Sequence, residues 1–134
     1  MELNYTINDL DKVVNTLLNS STSKIILFHG SMGVGKTTLI KSLVKTIGSA
    51  DEVQSPTYSL VNEYNATNTK IYHFDLYRVE SVEELYNMGF EEYLQEDVWV
   101  FIEWPELASE FFPENTTNIF LEINEDNTRK IIIN

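Results

Sequence analysis

Residues 24–43 read KIILFHGSMGVGKTTLIKSL, and the order of side-chain types in this stretch decides the fold class. Lys24 to His29 is a short apolar run suited to a buried central strand. Beyond the loop, Leu39, Ile40, Leu43, Val44 and Ile47 recur on one helical face, and Gly48 stands where a helix can end. Between strand and helix, Gly30, Gly35, Lys36 and Thr37 occupy every fixed position of G-x-x-x-x-G-K-[ST]. At ordinary residue usage this pattern arises by chance in under about 1% of chains this long. With its flanking strand and helix it predicts a phosphate-binding loop rather than a plain turn.

The loop's chemistry follows from its residue types. Glycine lets backbone N–H groups converge on phosphate oxygens where a Cβ would intrude. The first turn of the following helix adds about half a positive elementary charge at the same place. The predicted nucleotide contacts are Gly30, Ser31, Met32, Gly33, Val34, Gly35, Lys36, Thr37 and Thr38. Lys36 can reach the β- and γ-phosphates, and the Thr37 hydroxyl can ligate Mg²⁺. A magnesium site also calls for an acid at a nearby strand end. IYHFD ends in Asp75 and VWVFIE ends in Glu103. Either could be a capping or solvated residue, and either suits the role of orienting the metal through water. Thr57, in SPTYSL, could be a switch threonine sensing the γ-phosphate or an ordinary turn residue. Arg78 could stabilise transition-state charge or pair with a neighbouring carboxylate, and Trp104 could stack on a base or a partner or simply pack. His29 and His73 are read as core or hydrogen-bonded strand residues rather than metal ligands.

Working outward, Asn8 is a plausible N-cap for a helix carrying Leu10, Val13, Val14, Leu17 and Leu18. Tyr58–Tyr64 and Lys70–Asp75, separated by the polar NATNT, predict an antiparallel hairpin. Ser81–Asn87 and Phe90–Gln95 read as short helices, and Val98–Ile102 as a second buried strand. Pro105 suits a helix start, so PELASEFF reads as a helical turn or two. Ile119–Ile123 and Lys130–Ile133, joined through EDNT, close the chain as another hairpin. The sum is an α/β fold of the P-loop NTPase type, with a mixed parallel and antiparallel sheet flanked by helices. With 134 residues and no linker or repeat, one domain over residues 1–134 is the natural count.

Composition narrows the function. Cysteine is absent, which excludes a disulfide framework, thiolate metal sites and a cysteine nucleophile. No apolar run reaches the length of a membrane span, and MELNYTINDLDKVV lacks the basic and apolar regions of a signal peptide. A cytoplasmic protein without membrane contact is expected. The net charge is −12, and between Arg78 and Arg129 lie fourteen Asp or Glu residues and no Lys or Arg. Nucleic acid needs cations against its phosphates, so any role with nucleic acid calls for basic groups from a partner. The acids form either a plain solvated surface or a docking face for a basic protein. A small-molecule kinase is the alternative reading, but the Arg-free stretch offers no basic lid over an acceptor. No N-K-x-D guanine-reading motif is present, so ATP is favoured over GTP.

Five stretches together resemble one family. GSMGVGKTT (30–38), SPTYSLVNEY (55–64), HFDLYR (73–78), EELYNMGFEEYL (83–94) and IEWPE (102–106) match in order and spacing the TsaE family, also called YjeE. The likeness covers nearly the whole chain, and HxDLYR with IEWPE is far more specific than the loop alone. Only Tyr58, often Phe in the family, varies. The resemblance implies a bacterial P-loop ATPase needed to make N6-threonylcarbamoyladenosine next to the anticodon of tRNAs reading ANN codons. It implies ATP and Mg²⁺ as ligands and homologues of TsaB and TsaD as protein partners, with tRNA met indirectly through them. ATP hydrolysis would drive or reset the TsaB–TsaD assembly. Carried over by position, Lys36 and Thr37 hold phosphate and metal, and Thr57 belongs to a switch-like segment. Asp75 belongs to the metal site, and Glu103 is the acid important for hydrolysis, with Trp104 beside it.

Overall fold

A computed structural model describes residues 1–56 and 60–134. Thr57, the candidate switch threonine, and the first residue of the expected hairpin, Tyr58, therefore lie outside the described residues. Among those described, the strands are β1 (Glu2–Tyr5), β2 (Ile25–His29), β3 (Val61–Ala66), β4 (Thr69–Asp75), β5 (Trp99–Glu103), β6 (Thr117–Ile123) and β7 (Arg129–Ile133). They form one seven-stranded sheet in the order β1-β7-β6-β2-β5-β4-β3. The four central strands, β6, β2, β5 and β4, run parallel. Antiparallel neighbours close both sides, β3 on β4 and β7 with β1 beyond β6. The mixed sheet expected from the sequence is thus observed.

The sheet is covered on both faces because its strands alternate two sets of apolar side chains. Ile26, Phe28, Ile71 and Phe101 pack with Val14, Leu17, Leu39, Ile40 and Leu43 of α1 (Leu10–Ser20) and α2 (Lys36–Ile47). Ile25, Leu27, Phe74, Val100 and Ile102 pack on the opposite side with Leu85 and Phe90 of α3 (Val82–Asn87) and α4 (Phe90–Gln95). Burying each such side chain contributes about 1.5–3 kcal/mol, so a polar substitution at Phe28 or Phe101 would strike both sheet and helix layer.

Local signals set most helix ends. Gly48, in the left-handed conformation, ends α2 with its N–H on Val44 O and Lys45 O. Ser81 and Glu84 form a capping box at the start of α3, Glu84 Oε2 accepting the Ser81 N–H at 3.2 Å. The first helix departs from expectation, since Asn8 is not its cap. Ile7–Asp9 is a 3₁₀ turn, in which Asp9 Oδ2 accepts the Thr6 N–H at 3.1 Å, and α1 begins only at Leu10. The Thr6–Asp9 pair wins because it closes the turn through both side chains. Pro105–Phe111 is likewise 3₁₀ rather than α-helical. In the central hairpin β3 extends through Asn65 and Ala66, so the turn tightens to Thr67 and Asn68. β1 carries no signal of its own in the sequence and exists by pairing with β7, Glu2 opposite Ile132. Among the described residues no helix is long and apolar enough to cross a membrane.

Candidate functional site

Strand order brings the motifs together. Phe28 of β2 lies opposite Glu103 of β5, and Asp75 of β4 lies opposite Glu103 on its other side. The glycine loop, Asp75 and Glu103 therefore leave the same carboxyl-terminal edge of the parallel strands, where open α/β sheets hold their ligands.

The loop is shaped by close approach. Gly30 has φ +152°, and a Cβ there would stand 2.9 Å from Val34 Cγ1 and 3.0 Å from the Leu121 carbonyl oxygen. Val34 is buried, and its carbonyl accepts a 3.1 Å hydrogen bond from Arg129 Nε of β7. The loop is thus held from beneath by β6 and from the side by β7. No acidic side chain occupies the first turn of α2, so its N-terminal amides and dipole face the loop uncompensated.

Lys36 opens that helix and is only 6% exposed. Its ammonium donates to Gly30 O at 2.7 Å and sits 3.7 Å from the centre of the Trp104 ring. Desolvation pushes its pKa below the usual lysine range, opposed by Glu103, Asp75 and Glu106. A cavity of about 310 Å³ opens in front of it, lined by Met32, Gly33, Thr37, Ser55, Asp75, Glu103 and Trp104 among others. One cation, two acids and the hydroxyls of Thr37, Thr38 and Ser55 thus surround one space at a helix N-terminus.

The two acids are held differently. Burial raises the Asp75 pKa, helped by Glu103 and offset by the Tyr77 N–H, which donates to Asp75 Oδ1 at 3.0 Å, and by His73 and Lys36. Glu103 is 3% exposed, and its Oε2 lies 2.7 Å from His73 Nε2. His73 Nδ1 lies 2.9 Å from the Tyr64 hydroxyl, which donates to Gln54 O at 3.0 Å. His73 is thus a buried hydrogen-bonded strand residue, as its sequence position suggested. Trp104, directly after Glu103, has φ +55°. For a residue with a side chain this left-handed backbone costs about 1–2 kcal/mol, and here it accompanies an indole laid over Lys36.

A second cavity of about 290 Å³ adjoins the first through Gly35 and Thr38. Its other walls are Tyr5, Thr6, Ile7, Leu10, Asn127 and Arg129, drawn from the two ends of the chain. Sequence reasoning missed them, having placed Arg129 only as the cation that ends the acidic stretch. Arg78 is exposed and makes no ion pair among the described residues; with Pro56 and Tyr77 it borders a groove that adjoins the Lys36 cavity through Met32, Ser55 and Asp75. His29 stacks on Phe120 at 4.5 Å, and its Nε2 lies 2.9 Å from Asn118 Oδ1. Among the described residues no group of three His, Asp or Glu could hold a metal unaided. The donor set, a hydroxyl at Thr37 with Asp75 and Glu103 beside it, instead fits an ion that takes part of its shell from phosphate and water.

A family model described as "Threonylcarbamoyl adenosine biosynthesis protein TsaE" matches residues 5–131. A Haemophilus influenzae protein named tRNA threonylcarbamoyladenosine biosynthesis protein TsaE is 40% identical over 117 residues, which cover 86% of this chain and 74% of that protein. A Borreliella burgdorferi protein of the same name is 43% identical over 93 residues, 69% of this chain and 67% of its own length. A Rickettsia felis namesake is 37% identical, and the aligned part spans 78% of this chain but 61% of that protein. Among solved structures, Bacillus subtilis YdiB superposes with a TM-score of 0.74 over 98% of this chain and 82% of its own, at 22% identity. That likeness establishes the shared fold.

Proposed function

The chain belongs to the TsaE family, and from that premise we propose that it is a single-domain cytoplasmic ATPase serving threonylcarbamoyladenosine synthesis in tRNA. Its substrate is ATP with Mg²⁺, and its partners are homologues of TsaB and TsaD, whose assembly its turnover drives or resets. The observation that carries this reading is the convergence of Lys36, Thr37, Asp75 and Glu103 on one cavity at the N-terminus of α2.

Each side chain has a task the geometry supports. The loop amides from Gly30 to Thr38 and the α2 dipole bind and orient the phosphates. Lys36, with one of its three donors on Gly30 O, neutralises the β- and γ-phosphates. Thr37, Asp75 and Glu103 would hold the metal, directly or through its water. Bound Mg²⁺ supplies charge neutralisation of the phosphate oxygens. Glu103, anchored at one oxygen, orients the attacking water. The second cavity suits the nucleoside, because Thr38 and Gly35 lead into it from the loop and Tyr5, Ile7 and Leu10 offer apolar area. The cation-free run from residue 79 to 128 supports contact with tRNA through partners rather than directly.

Calorimetric titration with ADP tests the phosphate assignment. Lys36→Ala should abolish measurable binding while the variant stays folded by circular dichroism. Retained affinity would overturn the assignment.

A further inference from the structure

His73 stands in the core two residues before Asp75, on the strand face shared by Ile71 and Asp75, and it is completely buried. An apolar side chain would fill that space without needing partners, whereas a buried imidazole is costly unless its nitrogens are bonded. Here both are, and each leads somewhere. Nε2 reaches Glu103 Oε2 at 2.7 Å, and Nδ1 reaches the Tyr64 hydroxyl at 2.9 Å. Tyr64, itself 3% exposed, meets the Gln54 backbone at both its oxygen, 3.0 Å, and its N–H, 3.3 Å. Gln54 immediately precedes Ser55, which lines the same cavity as Glu103. A continuous hydrogen-bonded chain, buried from Glu103 as far as Tyr64, thus joins the acid at the end of β5 to the segment that walls the cavity.

We propose that His73 is a positioning residue for Glu103, fixing one carboxylate oxygen so that the other faces the metal–nucleotide site, with Tyr64 tying that orientation to the Gln54–Ser55 wall. A free glutamate loses rotamer freedom on being ordered, and His73 orders it before ligand arrives. The inference rests on the reading of the cavity as a Mg²⁺–nucleotide site. It assigns no proton transfer to His73, which touches neither phosphate nor metal.

The test is calorimetric titration of a non-hydrolysable ATP analogue with and without Mg²⁺, on the wild type, His73→Leu, His73→Gln and Tyr64→Phe. The wild type gains affinity from Mg²⁺. His73→Leu loses about tenfold of that gain, the usual scale for partners that orient a ligating group, while Mg²⁺-free affinity stays within about twofold. His73→Gln, whose amide can stand near the Nε2 position, recovers most of it. Partner-stimulated turnover follows the same order, with kcat lowered and KM nearly constant. Tyr64→Phe removes one oxygen and keeps the ring, so it serves if His73→Leu fails to fold, and about a threefold loss of the Mg²⁺-linked gain is expected. An intact gain in every folded variant overturns the proposal. So does a parallel fall in Mg²⁺-free affinity that His73→Gln does not rescue, which marks a purely architectural role. If the wild type shows no Mg²⁺-linked gain, the metal reading of the cavity has failed and the proposal, which rests on it, falls with it.

Discussion

Replacing Gly30 by alanine separates two costs that the loop keeps apart. At φ +152° a Cβ is strained whatever the space around it, and here it also meets Val34 Cγ1 at 2.9 Å and Leu121 O at 3.0 Å. Strained backbone of this kind costs about 1–3 kcal/mol. Overpacking against a buried valine and a main-chain oxygen of β6, neither free to retreat, adds about 1–3 kcal/mol. The expected loss is therefore about 2–6 kcal/mol, a large part of the 5–15 kcal/mol that typically separates native from unfolded. With a urea m-value of about 2 kcal/mol/M, a loss of about 4 kcal/mol moves the midpoint down by about 2 M at constant m. Gly33→Ala is the control, since Gly33 has φ +76° and nothing within 4 Å of its would-be Cβ. It should lose only the backbone share, about 1–2 kcal/mol, or about 0.5–1 M. Equal shifts for the two variants, or a Gly30→Ala midpoint within about 0.5 M of wild type, would refute the reasoning that steric fit to β6 sets the loop.

Two further outcomes follow from the same geometry. Burial raises the Asp75 pKa above its usual 3.8, so the native state keeps this proton to higher pH than the unfolded chain. Stability associated with Asp75 is complete below the unfolded pKa and falls as pH rises through the folded one. Asp75→Asn, which keeps the acceptor for Tyr77 N–H, should therefore unfold at higher urea than wild type at pH 7, with the advantage shrinking toward pH 4; an advantage that grows on acidification contradicts the sign. Arg129→Ala should weaken ADP binding about 10–100-fold, the scale of a lost hydrogen bond from a charged group, because Arg129 both holds Val34 O and walls the second cavity. Unchanged affinity by calorimetry would remove Arg129 from the site.

How much of this was legible in the sequence depends on how local each signal is. The β2–loop–α2 unit could be read directly, since its apolar periodicities, glycines and Lys36 lie within 24 consecutive residues (24–47). Asp75 and Glu103 could be named as strand ends, but their adjacency needed the order β2-β5-β4, which no local pattern encodes. β1 was invisible because it is a four-residue edge strand made by pairing with β7, more than 120 positions away. The same closure builds the second cavity, so Tyr5, Ile7 and Arg129 could not be connected beforehand. The Asn8 cap failed for a smaller reason: several polar residues precede Leu10, and only the structure shows Asp9 bonded back to Thr6. His73 was rightly placed as a hydrogen-bonded strand residue, whereas its partners on β5 and β3 became visible only with the sheet assembled.

The central claim, an ATPase whose turnover belongs to a protein assembly, is tested most directly by measuring ATP hydrolysis with and without TsaB and TsaD. The account predicts slow turnover by the isolated chain, clear stimulation when both partners are added, and loss of that stimulated turnover in Glu103→Ala with Mg²⁺-free ADP affinity preserved. Fast hydrolysis by the chain alone, unchanged by the partners, would contradict it.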